Sequence, residues 1–471
     1  MNTGVLDAIK NQSENDFIPW TPIGSHEIGS NPYTGTFDGQ GHSISGLYFN
    51  NPAKPFVGLF GVIGAGGKIS NVGVSDSYFQ FELLGGGICG LNMGGVLQNC
   101  SNSSTVIGKS QMIGGVCGDN SIGGTVRDCK NTGSVHGTGD YVGGVCGNNH
   151  DGGTIKSCYN TGSVYGTGNY VGGVCGLSQN ETNYCYYLSG TATRGIGNRD
   201  DEKDKAEERS EEKFESGEMA WLLNGKGLGE QVWGQQLGID QSPVPGSDYK
   251  VIKAAKGDKD ENGNENTYWA TFSNQTNDAT LSVPSDRSLK VYNATVSGGK
   301  LTLTERDKQV AKEEGVLLKT DGEYVNAKAN EANVLEKASP DENHLVATPA
   351  EAKTVTETDY ILYRLTYKNQ YKDNLGFYLG SSDGKSLKAI PGKAYLKVSE
   401  DAAKAPSSAA LTRSFVFGGG SETTGIDGIT IMGTDVQRHG TIEGIFDLQG
   451  RKISNPTKGI YIKNNKKVVI K

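Results

Sequence analysis

Gly144-Val145-Cys146-Gly147 is one of four near-copies of a single phrase, the others being Gly87-Ile88-Cys89-Gly90, Gly115-Val116-Cys117-Gly118 and Gly173-Val174-Cys175-Gly176. Their cysteines lie 28, 29 and 29 residues apart, and a second set, Cys100, Cys129, Cys158 and Cys185, interleaves at 29, 29 and 27. A fixed period of this length implies stacked units whose neighbours bury one continuous core. The copies are close: sixteen of nineteen positions agree between the segment from Cys129 to Gly147 and that from Cys158 to Gly176.

Within each unit the apolar residues are short and mostly β-branched, such as Val135, Val142, Val145 and Ile155, and Gly, Asn, Thr and Ser crowd between them. No stretch shows the 3.6-residue spacing of a helix. Each unit has room for about three short strands. Equivalent strands of successive units then pair in parallel at roughly 4.8 Å. The expected fold is all-β, with an N-terminal parallel β-helix of about 29 residues per coil, right-handed by crossover sterics.

Eight cysteines invite disulfides, because stacked coils bring equivalent Cα atoms within bridging range. Ladder side chains point the same way, however, and leave their Cβ atoms wider apart than a disulfide prefers. One period before Cys89 stands Phe60, and one before Cys100 stands Val72. Apolar residues in those columns point to inward core positions filled by reduced thiols. Disulfides, and a metal site needing four convergent thiolates, are the alternatives. Asn102, Asn131 and Asn160 follow their cysteines by two residues and can stack so as to satisfy buried backbone groups. Met112, Tyr141 and Tyr170 form a further column after Leu84, and His136 and Tyr165 another after Ile107. Exposed tyrosines in register can be stacking platforms for sugar rings or can simply cover a sheet or turn.

The segment from Gly35 to Leu47, Gly-Thr-Phe-Asp-Gly-Gln-Gly-His-Ser-Ile-Ser-Gly-Leu, together with the Val-Gly-Gly-Val-Cys-Gly units, resembles the GLUG-motif repeat proteins. Trp20-Thr21-Pro22-Ile23-Gly24 and the run from Gly217 to Asn224 are similar to that family's usual flanks, so the likeness covers about residues 20 to 250. It implies a β-helical extracellular protein of the kind frequent on Bacteroidetes-type surfaces, and implies little about activity.

Residues 199 to 216 are crowded with charge, and good helix formers continue to Leu223, which predicts one exposed helix over about 205 to 224. Trp221, Leu222, Leu223 and Trp233 are expected to plug the end of the β-helix, whose bare edges need cover. Beyond 250, segments beginning at Tyr268, Leu289, Leu301, Gly315, Tyr360, Gly376 and Lys393 read as short strands of an antiparallel sandwich, with 328 to 355 an irregular excursion. At the C-terminus, two strands joined at Asn464-Asn465 predict a hairpin. That segment is similar to C-terminal sorting domains of type IX secretion, which implies export and attachment to the outer surface. The expected organisation is a β-helix over 1–198, a charged helix and cap over 199–250, a β-sandwich-like domain over 251–420 and a sorting-domain-like hairpin segment over 421–471.

A formal charge of -8 and a pI near 5.5, with no basic cluster, argue against a nucleic-acid partner. No apolar run reaches the 18 residues of a membrane span. The start at Met1-Asn2-Thr3-Gly4 carries no signal peptide, so an exported protein of this sequence is expected to have been trimmed. Apparent catalytic motifs dissolve. His26-Glu27-Ile28-Gly29-Ser30 has serine where a zinc protease needs its second histidine. The run from Gly380 to Ser386 is one residue short of a phosphate loop, and the segment from Gly137 to Gly143 has the wrong glycine spacing for dinucleotides. Asp258, Asp260 and Asn262 are spaced like the start of a calcium loop, but Trp269 stands where the bidentate glutamate belongs. From Leu84 to Gly176 there is no glutamate, and Asp128 and Asp151 are six positions out of register.

These features lead to a non-catalytic secreted or cell-surface, adhesin-like protein, its β-helix a rigid spacer and binding surface for glycans or host proteins. No cofactor is expected beyond the calcium candidate. The alternatives are an extracellular polysaccharide lyase or glycoside hydrolase on the same scaffold, and a purely structural surface-layer component.

Overall fold

The computed structural model describes residues 4–10, 17–25, 31–198, 205–227, 230–257, 266–368, 375–404, 411–412 and 414–417, and the strands of the C-terminal segment. The calcium-loop candidates Asp258, Asp260 and Asn262, the His26–Ser30 run and the Asn464-Asn465 turn lie outside the described residues. The chain forms two compact units: Met1–Ala254 with Ala279–Ser288 and Glu323–Glu331, and Ala255–Asp278 with Leu289–Gly322 and Ala332–Lys471.

The first unit contains a parallel β-solenoid of about 5 turns with about 29 residues per turn. The coil that begins at Cys117 holds five short strands, Cys117–Ser121, Thr125–Arg127, Lys130–Asn131, Val135–Gly137 and Val142–Gly143, where the sequence predicts about three. Glycines and left-handed corner residues cut the chain into these shorter pieces. Each strand pairs in parallel with its counterpart one period away: Cys117 with Cys89 and Cys146, Val126 with Leu97 and Ile155, Val135 with Val106 and Val164. All eight cysteines are free and buried, and they share one core with Val57, Phe60, Val72 and Phe81. Burial pushes the thiols of Cys89, Cys129, Cys146 and Cys185 well above their ordinary range.

Two amide ladders run through this interior. Asn102 Nδ2 donates to Asn131 Oδ1 and Asn131 Nδ2 to Asn160 Oδ1, each at 2.8 Å. Asn131 also donates to Gly133 O at 2.8 Å and accepts from Gly133 N at 3.2 Å, so its amide is fully used. The second ladder, Asn92 to Asn120 to Asn149, repeats the 2.8 Å amide bond and continues to Ser178 Oγ at 3.3 Å. Sequence reading missed it, although the same 28- and 29-residue spacing was there to find. The ladders also explain the glycine pairs of the repeat. A Cβ on Gly115 or Gly144 would overlap the amide of Asn131 or Asn160, so only glycine fits beside the ladder.

Residues 205–224 do not form the single helix expected. Ala206–Arg209 is a strand that pairs in parallel with Cys185–Leu188, setting Ala206 in the cysteine column. Two short helices follow, Glu211–Glu215 and Glu218–Leu223, separated by Gly217 at φ 93°. Helix propensity lost here to the unpaired edge of the last coil, whose backbone groups gain more from a strand partner than from solvent. The helices bury Phe214, Met219, Leu222 and Leu223 with Trp233 against Tyr159 and Tyr186, outward residues of the solenoid sheet. Tyr159 is fixed there by its hydroxyl, which donates to Pro243 O at 2.6 Å.

The second unit is antiparallel. One sheet runs through Tyr268–Ser273, Gly315–Thr320, Leu289–Ser297 and Lys300–Arg306, and another through Leu345–Ala347, Ala394–Ser399, Tyr360–Thr366, Gly376–Leu379 and Ser414–Val416. They share a core of Trp269, Leu317, Tyr363, Phe377 and Leu396, as a sandwich does. Each of the seven segments read as a strand coincides with one of these strands, the last starting at Ala394, one residue after Lys393. In the C-terminal segment, Gly459–Lys463 pairs antiparallel with Lys466–Ile470, and Lys463 faces Lys466.

Two outcomes follow. None of the eight thiols reacts with a thiol reagent in the native protein, and all eight react in denaturant without reductant; fewer than eight would reveal disulfides. Asn131→Ala leaves groups on Asn102, Gly133 and Asn160 unpaired, and lowers unfolding stability by about 3 kcal/mol or more at 1–3 kcal/mol per orphaned group. Urea denaturation monitored by circular dichroism measures this, and a loss near zero would contradict the ladder's role.

Candidate binding surface

One corner of the solenoid carries the four ligand-binding candidates. In successive coils Val135–Gly137 leads into Val142–Gly143, and Val164–Gly166 into Val171–Gly172. His136 and Tyr165 are register partners on the outer face, with ring centroids 6.1 Å apart and planes 46° apart. Tyr141 and Tyr170 stand at the turn into the second strand, centroids 5.6 Å apart and planes within 8° of parallel. Tyr165 is 59% and Tyr170 42% exposed, while Tyr141 is half-buried.

The corner is a rigid edge. Leu84, Met112, Tyr141 and Tyr170 all take left-handed φ, between 55° and 63°. That conformation costs an L residue about 1 kcal/mol or more, so it must be held by neighbours. The backbone supplies them: Tyr141 N–H donates to Asn169 O and Val142 N–H to Tyr170 O, both at 3.1 Å. Side chains repeat the pattern. Thr138 Oγ1 donates to Lys109 O at 2.8 Å, Thr167 Oγ1 to Thr138 O at 3.0 Å, and Asp140 Oδ1 accepts from Asn169 N at 2.6 Å.

The carboxylates of the solenoid are dispersed. Asp119 is buried on the strand after Cys117, accepts from Asn148 Nδ2 at 2.9 Å and faces His150 Nε2 at 3.3 Å. Burial holds its carboxyl above the usual range. His150 Nδ1 also lies 3.3 Å from Asp151. The Asp119–Asn148 partnership was open to sequence reading, since both follow their cysteine by two residues. Asp128 sits in a different left-handed column, with Asn99 before it and Ser157 after it, and pairs with Arg127 at 3.3 Å. Burial pushes it up to about 6. Asp151 belongs to the column of Ile122, whose following residue Gly123 donates its N–H to Asp151 O at 2.9 Å. The two carboxylates compared in the sequence therefore have different neighbours. Among the described residues no group of three or more His, Cys, Asp or Glu is arranged to hold a metal ion, and no helix is long and apolar enough to cross a membrane.

Comparison with known proteins places this surface in a family context. Residues 138–165, which include Tyr141 and Tyr165 of the corner but not His136 or Tyr170, match the model of the GLUG motif. A protein of Evansella cellulosilytica named as a candidate Gly-rich membrane protein is 35% identical over 85 residues, covering 17% of this chain and 9% of that protein. Halomucin of Haloquadratum walsbyi is 32% identical over 103 residues, covering 21% of this chain and 1% of its own length. The chain thus spans less than a tenth of either relative. Among solved structures, a Bacteroides ovatus protein named as a candidate immunoglobulin A1 protease is similar over 50% of this chain and 83% of its own, at 18% identity and a TM-score of 0.35. The segment from residue 138 to 165, about one coil in length, is thus a GLUG motif set within a parallel β-solenoid of about 29 residues per turn.

Proposed function

We propose that the chain is a non-catalytic surface protein whose solenoid is a rigid spacer carrying a recognition face for glycans. The observation that carries this reading is the pair of exposed aromatic columns, His136 with Tyr165 and Tyr141 with Tyr170, on a corner already ordered by its own hydrogen bonds. Flat rings held in place lose little entropy when a sugar stacks on them. The antiparallel C-terminal segment, with its likeness to a sorting domain, supports export and attachment at the cell surface.

Acid/base catalysis of glycoside cleavage requires two carboxyl groups facing one bond. The buried acids Asp119 and Asp128 are instead occupied by their own partners, the first by Asn148 and His150, the second by Arg127. We read both as structural.

A glycan array and a polysaccharide-degradation screen on the full chain test the proposal together. Retention of one or more glycans without release of reducing ends is expected, whereas release of reducing ends would overturn the non-catalytic reading. The structural reading of Asp128 has its own test. Its folded pKa is raised to about 6 against an ordinary 3.8. Ionisation therefore costs the folded state stability that is intact below pH 4 and is lost as pH rises towards 6. Asp128→Asn should leave stability unchanged at pH 4 and raise it by about 1–2 kcal/mol at pH 7, a value discounted for the solvent that reaches the carboxyl. Thermal melting at both pH values measures this, and an Asn variant less stable at pH 7 would contradict it.

A further inference from the structure

The last coil of the solenoid is shorter than the others, and the shortening falls on the aromatic corner. In the preceding pair of coils Val135 N–H donates to Ser163 O and Gly144 N–H to Gly172 O, so the two acceptors stand nine residues apart. One coil on, Val164 N–H donates to Thr191 O and Gly173 N–H to Arg194 O, and the acceptors stand only three residues apart. The final coil thus omits the residues that would have stacked on the corner. Consistent with this, Val171–Gly172 is the last strand of its sheet and Val164–Gly166 ends the path of another. Val135 and Val142 are fully buried, but their counterparts Val164 and Val171 are only partly so.

The omission decides which aromatic surface is usable. Tyr141 and Tyr170 are nearly parallel, so each covers one face of the other, and Met112 occupies the preceding place in that column. The open ring face is therefore the outer one of Tyr170. Tyr165 is tilted away from His136 and is more exposed still. Beside these rings run the terminal strands of two sheets, with no further strand paired beyond them among the described residues. The result is a shelf with flat apolar surface and backbone hydrogen-bonding groups side by side.

We infer that this shelf, built by Tyr165 and Tyr170 where the final coil bypasses the corner, binds a hexopyranose unit of a glycan. The inference rests on the glycan reading above and assigns it to one place. A pyranose matches the shelf because it carries an apolar C–H face and a rim of hydroxyl donors and acceptors. A partner β-strand matches it less well. The available edges are three residues and two residues long and are separated by a turn at left-handed Tyr170, so an added strand could pair over only a few positions.

The test uses the full chain and the glycan it retains most tightly on an array, with affinities from calorimetry. Tyr165→Thr and Tyr170→Asn remove the rings while suiting a strand and a left-handed turn respectively. Each should weaken binding by about tenfold, the scale of one lost aromatic stack, with the circular dichroism spectrum and cooperative unfolding of the parent retained. Tyr165→Phe and Tyr170→Phe should recover most of the affinity. Tyr184→Ala, which removes another exposed solenoid tyrosine from a different column, should leave it unaltered. A glycan bound equally well by Tyr165→Thr and Tyr170→Asn would overturn this assignment while leaving glycan recognition to another surface. Retention of no glycan at all would overturn both. Capture of a peptide rather than a glycan, lost in the same variants, would reassign the shelf to strand addition and overturn the sugar assignment.

Discussion

Everything in the solenoid depends on the requirement that like sits on like. Parallel strands one coil apart place each side chain directly over its counterpart, so a column must be filled by groups that tolerate their own company at that spacing. Thiols and small β-branched residues do this in the dry core. Asparagine does it better, because an amide is donor and acceptor at once and bonds to the identical amide above and below. The ladder from Asn102 through Asn131 to Asn160 satisfies all the hydrogen-bonding capacity of its central member within the interior. A buried polar residue, ordinarily a cost, here locks the register. A slip of two positions would place the amide of Asn131 against the thiol of Cys100.

The rest of the first unit follows from that register. Glycine pairs are placed where the amides lie, left-handed corners where the strands change sheet, and the aromatic columns where those corners face outward. Where the repeat ends, the chain still obeys the same rule for one more strand: Ala206 takes the place below Cys185 before the helices begin. The cap then covers the flank of the sheet through Tyr159 and Tyr186.

The repeat made most of this legible from sequence. Equal spacing identified the cysteine columns, one amide ladder and the tyrosine columns, and residue type identified strands in the second unit. Two failures have physical causes. The charged stretch after residue 204 has strong helical propensity, yet an edge strand with unsatisfied backbone outweighs propensity of a few tenths of a kcal/mol per residue. Periodicity, moreover, places residues in columns without giving the angle between ring planes. It could nominate Tyr141 and Tyr170 together but could not separate the covered face from the open one. The difference came from a shortened coil, whose omission falls between Thr191 and Arg194, beyond Cys185, the last cysteine of the repeat, where no further copy marks the register.

Because each coil presents the same groups to the coil above as to the coil below, the segment from Cys129 to Ser157 is an interchangeable module. Were it excised, Cys158 would come to rest on Cys100 and Asn160 on Asn102, restoring the amide bond of the first ladder, while Asn120 would meet Ser178 as Asn149 does now. Height along the axis is therefore quantised in steps of about 4.8 Å, and can be lengthened or shortened by whole-unit duplication or loss with no new interface to invent.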